Sequence, residues 1–414
     1  MDLAISPSPL SRRRFHGLGV QADSFYYDDF NRQAGVTEDD CRLIETRLKA
    51  LRPGVARIFL PLSDFNPALD GRTYDWDRPA FRDQLRNLRV LREAGAAVNV
   101  CMGPWTNREM RRDGMESAAV DVVEHLIRRE GLDNIRWLCL FNEPDTLYRH
   151  DSPLYERLFA NRPDPARPPW ADYVAKHRRT QALLEQRGLY PSVRLVVADT
   201  VWGYAMRRER IELARRDFGG MDVGYSFHNY IVDAPGFYDG NPDFCPPGGM
   251  EAEARSFRRL LGPRRELICW EFNDAGYGFG SAFPGTGPHG EDLLGSFDSA
   301  AGVSDKVLAA LVGGADGLAV WCLCDMFYRG ALKQGVMHFG LWRFKWCGWR
   351  PRPVWYYFAA LVHAFRPGAS LHRVRGARGR LRALAAHDAT GWAVALLHRG
   401  ARPRRLRLRA PAPA

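Results

Sequence analysis

Short apolar runs recur along the chain, and each is followed by a stretch of helical period. Eight runs read as strands: Phe15–Gln21, Val55–Leu60, Ala97–Met102, Ile135–Phe141, Val193–Ala198, Val223–Phe227, Glu266–Trp270 and Gly317–Trp321. They are apolar at consecutive positions, the pattern of parallel strands buried on both faces. The stretches between them repeat apolar residues every three or four positions. Thr37, with Asp40 three residues on, resembles a capping box and opens a helix with Cys41, Ile44, Leu48 and Leu51 on one face. Asp77–Ala94 aligns Phe81, Leu85, Leu88 and Leu91, and Glu116–Arg129 aligns Ala119, Val122, Val123 and Leu126. Trp170–Arg187, Tyr204–Arg216, Glu251–Leu261, Ser299–Gly313 and Arg352–Phe365 complete the set. Eight strands alternating with eight helices predict the α/β class and a (β/α)8 TIM barrel spanning residues 14–368. A doubly wound open sheet is the structural alternative. Its dinucleotide-binding version is disfavoured, because no GxGxxG follows the first strand.

After residue 369 the period changes to two. Leu371–Val374, Leu381–Ala386, Trp392–Leu397 and Leu406–Leu408 predict a small C-terminal all-β domain over 369–414. Four short strands are few for a closed sandwich, so the N-terminal segment or a further C-terminal stretch is expected to complete it. This part also concentrates the charge. The chain carries +11, and residues 370–414 hold eleven Arg against one acid, Asp388, or +10 of that total. In Arg405-Leu406-Arg407-Leu408-Arg409 the arginines share one face, which suits a polyanion. Only five of the 59 basic residues are lysine, so the Arg bias equally reads as a nucleotide-composition effect.

Hydrophobic content of 46% with 26% charged residues excludes a disordered chain. No run of about 18 apolar residues appears, so no membrane span is expected. The eight cysteines include no CxxC pair, and Cys322 and Cys324 stand too close for the usual zinc spacing, so no metal constellation appears. The N-terminus lacks a long apolar core behind its charges, which reads as a cytoplasmic chain with reduced thiols. A chain from which a leader had been removed reads the same way, and secretion stays open.

In a barrel, chemistry sits at the C-terminal ends of the strands. The polar and aromatic residues at the ends of the apolar runs are Arg57 on the second; Met102 to Trp105 after the third; Asn142, Glu143 and Pro144 after the fourth; and Asp199 with Trp202 after the fifth. Ser226, His228 and Tyr230 belong to the sixth, Glu271 and Asn273 to the seventh, Trp321 and Asp325 to the eighth. Glu143 and Glu271 thus close the fourth and seventh strands, on opposite sides of the barrel mouth. Glycosidic hydrolysis uses such a pair: one acid protonates the leaving oxygen while the other attacks the sugar or activates water. A separation of about 5–5.5 Å means retention through a glycosyl-enzyme, and about 6.5–9.5 Å means inversion.

With these residues in barrel order, the chain resembles a clan A glycoside hydrolase, a superfamily of retaining (β/α)8 enzymes. Asn142-Glu143-Pro144 resembles the acid/base motif of the clan, and Trp270-Glu271-Phe272-Asn273 its nucleophile strand. Asp222 with Ser226, His228 and Tyr230, and Trp321 with Asp325, are similar to strands 6 and 8 of glycoside hydrolase family 39 and its relatives. So is Phe339 to Trp342 with Arg352 to Tyr357 leading into a β-domain. The strand-3 His of cellulase-type members is absent, since Met102 to Trp105 stand there, which argues against a plain family 5 cellulase.

The resemblance implies roles. Glu143 is the general acid and then the general base, and Glu271 is the nucleophile. Arg57 and Tyr230 orient the nucleophile. Asn142 bonds the sugar 2-hydroxyl, His228 lies between the acids or on substrate, and Trp321 is a stacking platform. Trp105, Asp199, Trp202 and Asn273 are subsite candidates, while Asp325 reads better as a brace. Each has a structural alternative: an ion pair for Arg57, a satisfied inward histidine for His228, core packing for the tryptophans. The function expected is retaining hydrolysis of an oligo- or polysaccharide without a cofactor. The alternatives are a non-catalytic carbohydrate-binding barrel and polyanion binding through the basic tail, for which no nucleic-acid reading motif appears.

Overall fold

The structure is a computed structural model. It describes residues 1–11, 13–103, 109–148, 154, 168–230, 245–274, 295–328, 336–400 and 405–410.

The chain begins with β1 (Asp2–Pro9) and then enters a closed parallel barrel. Its strands are β2 (Gly17–Gln21), β3 (Val55–Phe59), β4 (Ala97–Cys101), β5 (Ile135–Cys139), β6 (Arg194–Thr200), β7 (Gly224–Asn229), β8 (Glu266–Phe272) and β9 (Gly317–Val320). Each pairs with the next, and β9 returns to β2 with Gly17 opposite Gly317. A helix follows every strand: α1 (Glu38–Leu51), α2 (Pro79–Glu93), α3 (Met115–Arg128), α4 (Trp170–Gln186), α5 (Tyr204–Asp217), α6 (Gly249–Leu261), α7 (Phe297–Gly313) and α8 (Pro353–Ala364). The barrel read from the sequence is the barrel observed, with strand ends displaced by a few residues.

Local chemistry sets these elements. Thr37 Oγ1 accepts the Asp40 backbone N–H at 3.3 Å while Asp40 Oδ2 accepts that of Thr37 at 2.7 Å, the capping box that starts α1. Cys41, Ile44, Leu48 and Leu51 then form its buried stripe. Gly19 on β2 has no alternative, because a Cβ there would meet the Val55 carbonyl oxygen at 1.6 Å. A polar knot fills the barrel floor. Trp137 Nε1 donates to Glu266 at 2.7 Å, and the other Glu266 oxygen faces His16 at 2.6 Å and Arg194 at 3.1 Å.

The connection from β9 to α8 carries a small hairpin, β10 (Met326–Phe327) with β11 (Val336–Met337). Beyond α8 lie β12 (Ser370–Arg375), β13 (Leu381–Asp388), β14 (Gly391–His398) and β15 (Arg407–Arg409). With β1 they form a five-stranded sheet in the order β14-β13-β12-β1-β15. β1 runs antiparallel to β12 and parallel to β15. Leu371, Leu384 and Ala386 join the barrel core, while Leu3, Ile5, Val374, Leu381, Ala383 and Ala385 form a cluster of their own. Arg382 ties the sheet to the barrel through Asp305 on α7 and Glu251 on α6. Arg407 and Arg409 are exposed, and β1 places Arg375 and Arg409 on either side of Ala4. Among the described residues no helix is long and apolar enough to cross a membrane.

Candidate active site

Five strands deliver side chains to one point at the C-terminal mouth. β5 ends at Cys139, and the chain turns so that Glu143 takes a left-handed backbone, φ 52°, before a 3-10 turn at Pro144–Thr146. A non-glycine residue there is held against its preference, a condition that concentrates at functional sites. On β7 the two-residue period sends Ser226 and His228 inward, with Tyr230 just past the strand. β6 bulges where it faces β7: Ala198 and Asp199 both take positive φ, 70° and 45°, and the register shifts between Val197 and Thr200. The bulge re-aims Asp199 into the cluster.

One carboxylate oxygen each from Glu143 and Glu271 and a ring nitrogen of His228 lie within 4.8 Å of one another. His228 Nδ1 is 3.1 Å from Glu143 and 3.5 Å from Glu271, and Nε2 is 3.0 Å from Asp199. Glu271 accepts from Arg57 Nη1 on one oxygen and from the Tyr230 hydroxyl, at 2.6 Å, on the other. Arg57 Nη2 donates to Asp199 at 2.7 Å and to the Asn142 amide oxygen at 2.8 Å. Ser226 Oγ donates to Asp199 at 2.5 Å. Arg57 and His228 have no exposed side-chain surface and Glu271 keeps 4%, whereas 22% of the Glu143 side chain is open. Glu143 is therefore the most open of the three acids in the cluster.

The charges sort themselves by environment. Burial chiefly, with the Glu271 charge, pushes the Glu143 carboxyl up to about 7 against its bond to His228. Burial opposes the charge on His228, yet Glu271 and Asp199 together push the imidazole up to about 10. Burial also opposes ionisation of Asp199, but Arg57 and His228 hold it below the usual carboxylate range. Arg57 is held protonated against burial, first by Asp199. Two anions, Asp199 and Glu271, thus face two cations, Arg57 and His228. Burial first, and then the Glu271 charge, disfavour a third anion at Glu143, so its carboxyl holds its proton up to about pH 7.

Among the described residues two donor groups have the spacing of metal ligands: Glu143, His228 and Glu271, and, deeper, Cys101, Cys139 and Asp199. Arg57 already faces both, reaching Glu271 in the first and Cys101 and Asp199 in the second. The donors suit proton transfer better than a cation.

The other residues singled out in the sequence lie around this cluster or away from it. Trp321 is 8% exposed; its Nε1 donates to Met337 Sδ at 3.1 Å, and its ring stands 5.5 Å from Phe59 and 5.3 Å from Tyr328. Asn273 is buried, its amide donating to the carbonyl oxygens of Trp321 and of Phe339, the latter at 3.1 Å. Trp202 is partly buried, its backbone N–H on Asp145 at 3.0 Å. Asp325 is buried and bidentate to Arg352, at 2.8 Å on both oxygens. Asp222 lies on the outer surface, 3.7 Å from Arg194. Trp105 lies outside the described residues, as does most of the chain in the two loops after β5 and β7.

Residues without an assigned role also belong to the site. Asp145, next after the Asn142-Glu143-Pro144 triplet, caps the loop after β6 through Thr200, Val201 and Trp202. Ser226 could be found from its two-residue spacing to His228. Cys101 and Cys139, behind Arg57 and Asp199, read only as small core residues.

No protein-family model matches the sequence, and no curated protein matches it. Solved structures do match in shape. SrfJ from Salmonella typhimurium superposes with a TM-score of 0.68 at 14% identity, over 99% of this chain and 88% of that one. The endo-beta1,6-glucanase BT3312 gives 0.65 at 15%, over 98% and 89%. A GH5_18 protein from Streptomyces cattleya, solved in complex with GlcNAc, gives 0.53 at 15%, over 86% and 80%. The likeness is one of fold, a TIM barrel followed by a β-sheet, and the family designation printed for several of these neighbours is GH5_18, whereas the strand motifs resembled family 39.

Proposed function

We propose that the protein is a retaining glycoside hydrolase, with Glu143 as acid/base and Glu271 as nucleophile. The observation that carries this reading is the approach of the two carboxylates within 4.8 Å at the barrel mouth, with Glu271 ion-paired to Arg57 and the Glu143 carboxyl pushed up to about 7. That spacing suits direct attack on the anomeric carbon and leaves little room for the water that inversion needs.

In the first step Glu143 donates its proton to the leaving oxygen as Glu271 forms the glycosyl ester. Esterification removes the Glu271 charge, one of the causes that keep Glu143 protonated. The Glu143 carboxyl then ionises more readily and serves as base toward water. Arg57 and Tyr230 release their hold on Glu271 as its charge is spent and recover it when the ester is cleaved. Asn142, its amide oxygen on Arg57, meets the sugar as a donor at the 2-hydroxyl. Trp321 is the platform for the ring. Asp199 and Asn273 support the site from behind: Asp199 as counterion to Arg57 and His228, Asn273 as a clamp on the Trp321 backbone.

Named neighbours include an endo-beta1,6-glucanase and an exo-beta-1,4-mannosidase, so β-glucosides and β-mannosides are the first substrates to try. Within the clan, we place the chain nearer the family 5 neighbours in shape while it lacks the strand-3 His of their cellulase-type members. The test is hydrolysis of a panel of nitrophenyl glycosides and polysaccharides. Glu143→Gln should lower turnover by roughly 10²–10⁴-fold. Glu271→Ala should abolish it, with azide restoring an inverted glycosyl azide. Binding of sugars without turnover across the panel would overturn the reading.

A further inference from the structure

Behind Arg57, the end of β2 meets the connection after β9 in a second buried cluster. Asp23 is fully buried. Its Oδ1 accepts the Phe59 backbone N–H at 2.7 Å and the Gln21 Nε2–H at 2.8 Å, and its Oδ2 accepts the Tyr328 hydroxyl at 2.7 Å. These bonds fix the Gln21 carboxamide. With its NH2 on Asp23, its oxygen faces Arg57 Nη1 at 3.4 Å. That is the nitrogen that holds Glu271. The Tyr328 ring stands 5.3 Å from Trp321 and 5.2 Å from Phe25, and Phe59 stands between Trp321 and the Arg57 guanidinium, at 5.5 and 4.9 Å.

We propose that Asp23, Gln21 and Tyr328 form a positioning relay for the nucleophile: Asp23 and Tyr328 set the Gln21 amide, Gln21 sets Nη1 of Arg57, and Arg57 sets Glu271. Its effect on turnover rests on the glycosidase reading, whereas its geometry does not. Arg57 Nη2 is already committed to Asp199 and Asn142, so the guanidinium can pivot only about that side. Removing the Gln21 oxygen frees the pivot and lets Nη1 drift from Glu271. Tyr328 meanwhile backs the Trp321 ring, so the platform and the nucleophile share one support.

The relay works by shape more than by charge. Burial, against the bonds from Tyr328, Phe59 and Gln21, pushes Asp23 up to about 7. An asparagine there keeps Oδ1 for Phe59 and Gln21, and its NH2 can donate to a Tyr328 hydroxyl that rotates to accept. Conservative replacement should therefore rescue what truncation destroys.

The test uses Gln21→Ala, Asp23→Ala, Asp23→Asn and Tyr328→Phe in the full chain, on the aryl glycoside the wild type cleaves best. Gln21→Ala and Asp23→Ala should lower kcat by roughly 10- to 100-fold with KM nearly unchanged, the effect of a nucleophile misplaced by about 1 Å. Asp23→Asn should keep kcat close to wild type, and Tyr328→Phe, which keeps the ring and loses only the bond to Asp23, should show the same loss of kcat in weaker form. Crystal structures of Gln21→Ala and Tyr328→Phe supply a readout apart from activity, in which Arg57 Nη1 should move off Glu271 in the first and the Gln21 amide should turn in the second. An Arg57 unmoved in the Gln21→Ala structure would overturn the relay. A wild-type chain inactive on every glycoside would count against the proposed function alone, and the position of Arg57 would still decide the relay.

Discussion

Arg57 and Asp199 form a wholly buried ion pair, 2.7 Å apart, beneath the two candidate catalytic acids. Through it Asp199 sets three things at once: the guanidinium on Glu271, the imidazole between the acids, and the Ser226 hydroxyl. Asp199→Ala leaves two buried cations facing one anion, and breaking a buried pair in this way costs about 3–5 kcal/mol. Urea unfolding should show that loss, and an activity assay should show turnover falling with it. Asp199→Asn, which keeps the shape, should retain the fold better but lose activity.

His228 should titrate far above an ordinary histidine, near 10, because Glu271 and Asp199 outweigh its burial. Histidine-selective NMR should find its ring protonated from about pH 6 to about pH 9. Stability from this charge is complete below the ordinary histidine range and is lost as pH rises through about 10. In Asp199→Asn the ring should lose its proton at lower pH.

The Glu143 carboxyl, raised to about 7, acts as acid only while protonated. The kcat/KM profile should therefore fall as pH rises through about 7, and the limb should vanish in Glu143→Gln. Stability follows the same sign, since the folded state binds this proton more tightly. Its contribution is complete below the usual glutamate range and is lost as pH climbs through about 7.

Asp325 and Arg352 make the contrasting case of a buried pair away from the acids, at 2.8 Å on both oxygens. Burial opposes the Asp325 charge, but Arg352 and His338 hold it below the usual carboxylate range. Asp325→Ala should cost about 3–5 kcal/mol in denaturant while a correctly folded fraction keeps near-normal KM. The stabilisation is present above the ordinary aspartate range and disappears as pH falls through the lowered value.

Arg382 joins the sheet to Asp305 and Glu251 with 30% of its side chain exposed. Solvent screens such a pair, so Arg382→Ala should cost only about 1 kcal/mol or less by thermal or chemical unfolding. A larger loss would mean that the sheet is held to the barrel mainly by charge and not by Leu371, Leu384 and Ala386.

Much of this was legible in the sequence because buried parallel strands and amphipathic helices leave plain periods. The Thr37–Asp40 box, the β7 alternation of Ser226, His228 and Tyr230, and acids directly after apolar runs all come from local rules. The features that escaped are non-local. The bulge that turns Asp199 inward occurs at Ala198 and Asp199, neither of them the glycine that would advertise a positive φ. Asp23 reads as one more acid in a loop until Tyr328, 305 residues away, donates to it. The N-terminal segment was one of the two stretches expected to complete the sheet, but its place between β12 and β15 was hidden, since Pro7 and Pro9 interrupt a strand whose only strong signals are Leu3 and Ile5.

The placement of β1 has a consequence for how the molecule comes into being. Residues 2–9 leave the ribosome ahead of the barrel, yet they lie between β12 and β15, strands translated after it. During synthesis this segment has neither of its sheet neighbours until every strand of the barrel has been made. Only once β12 and β15 have emerged can the sheet zip together, with Ala4 opposite Arg375 on one side and Arg409 on the other.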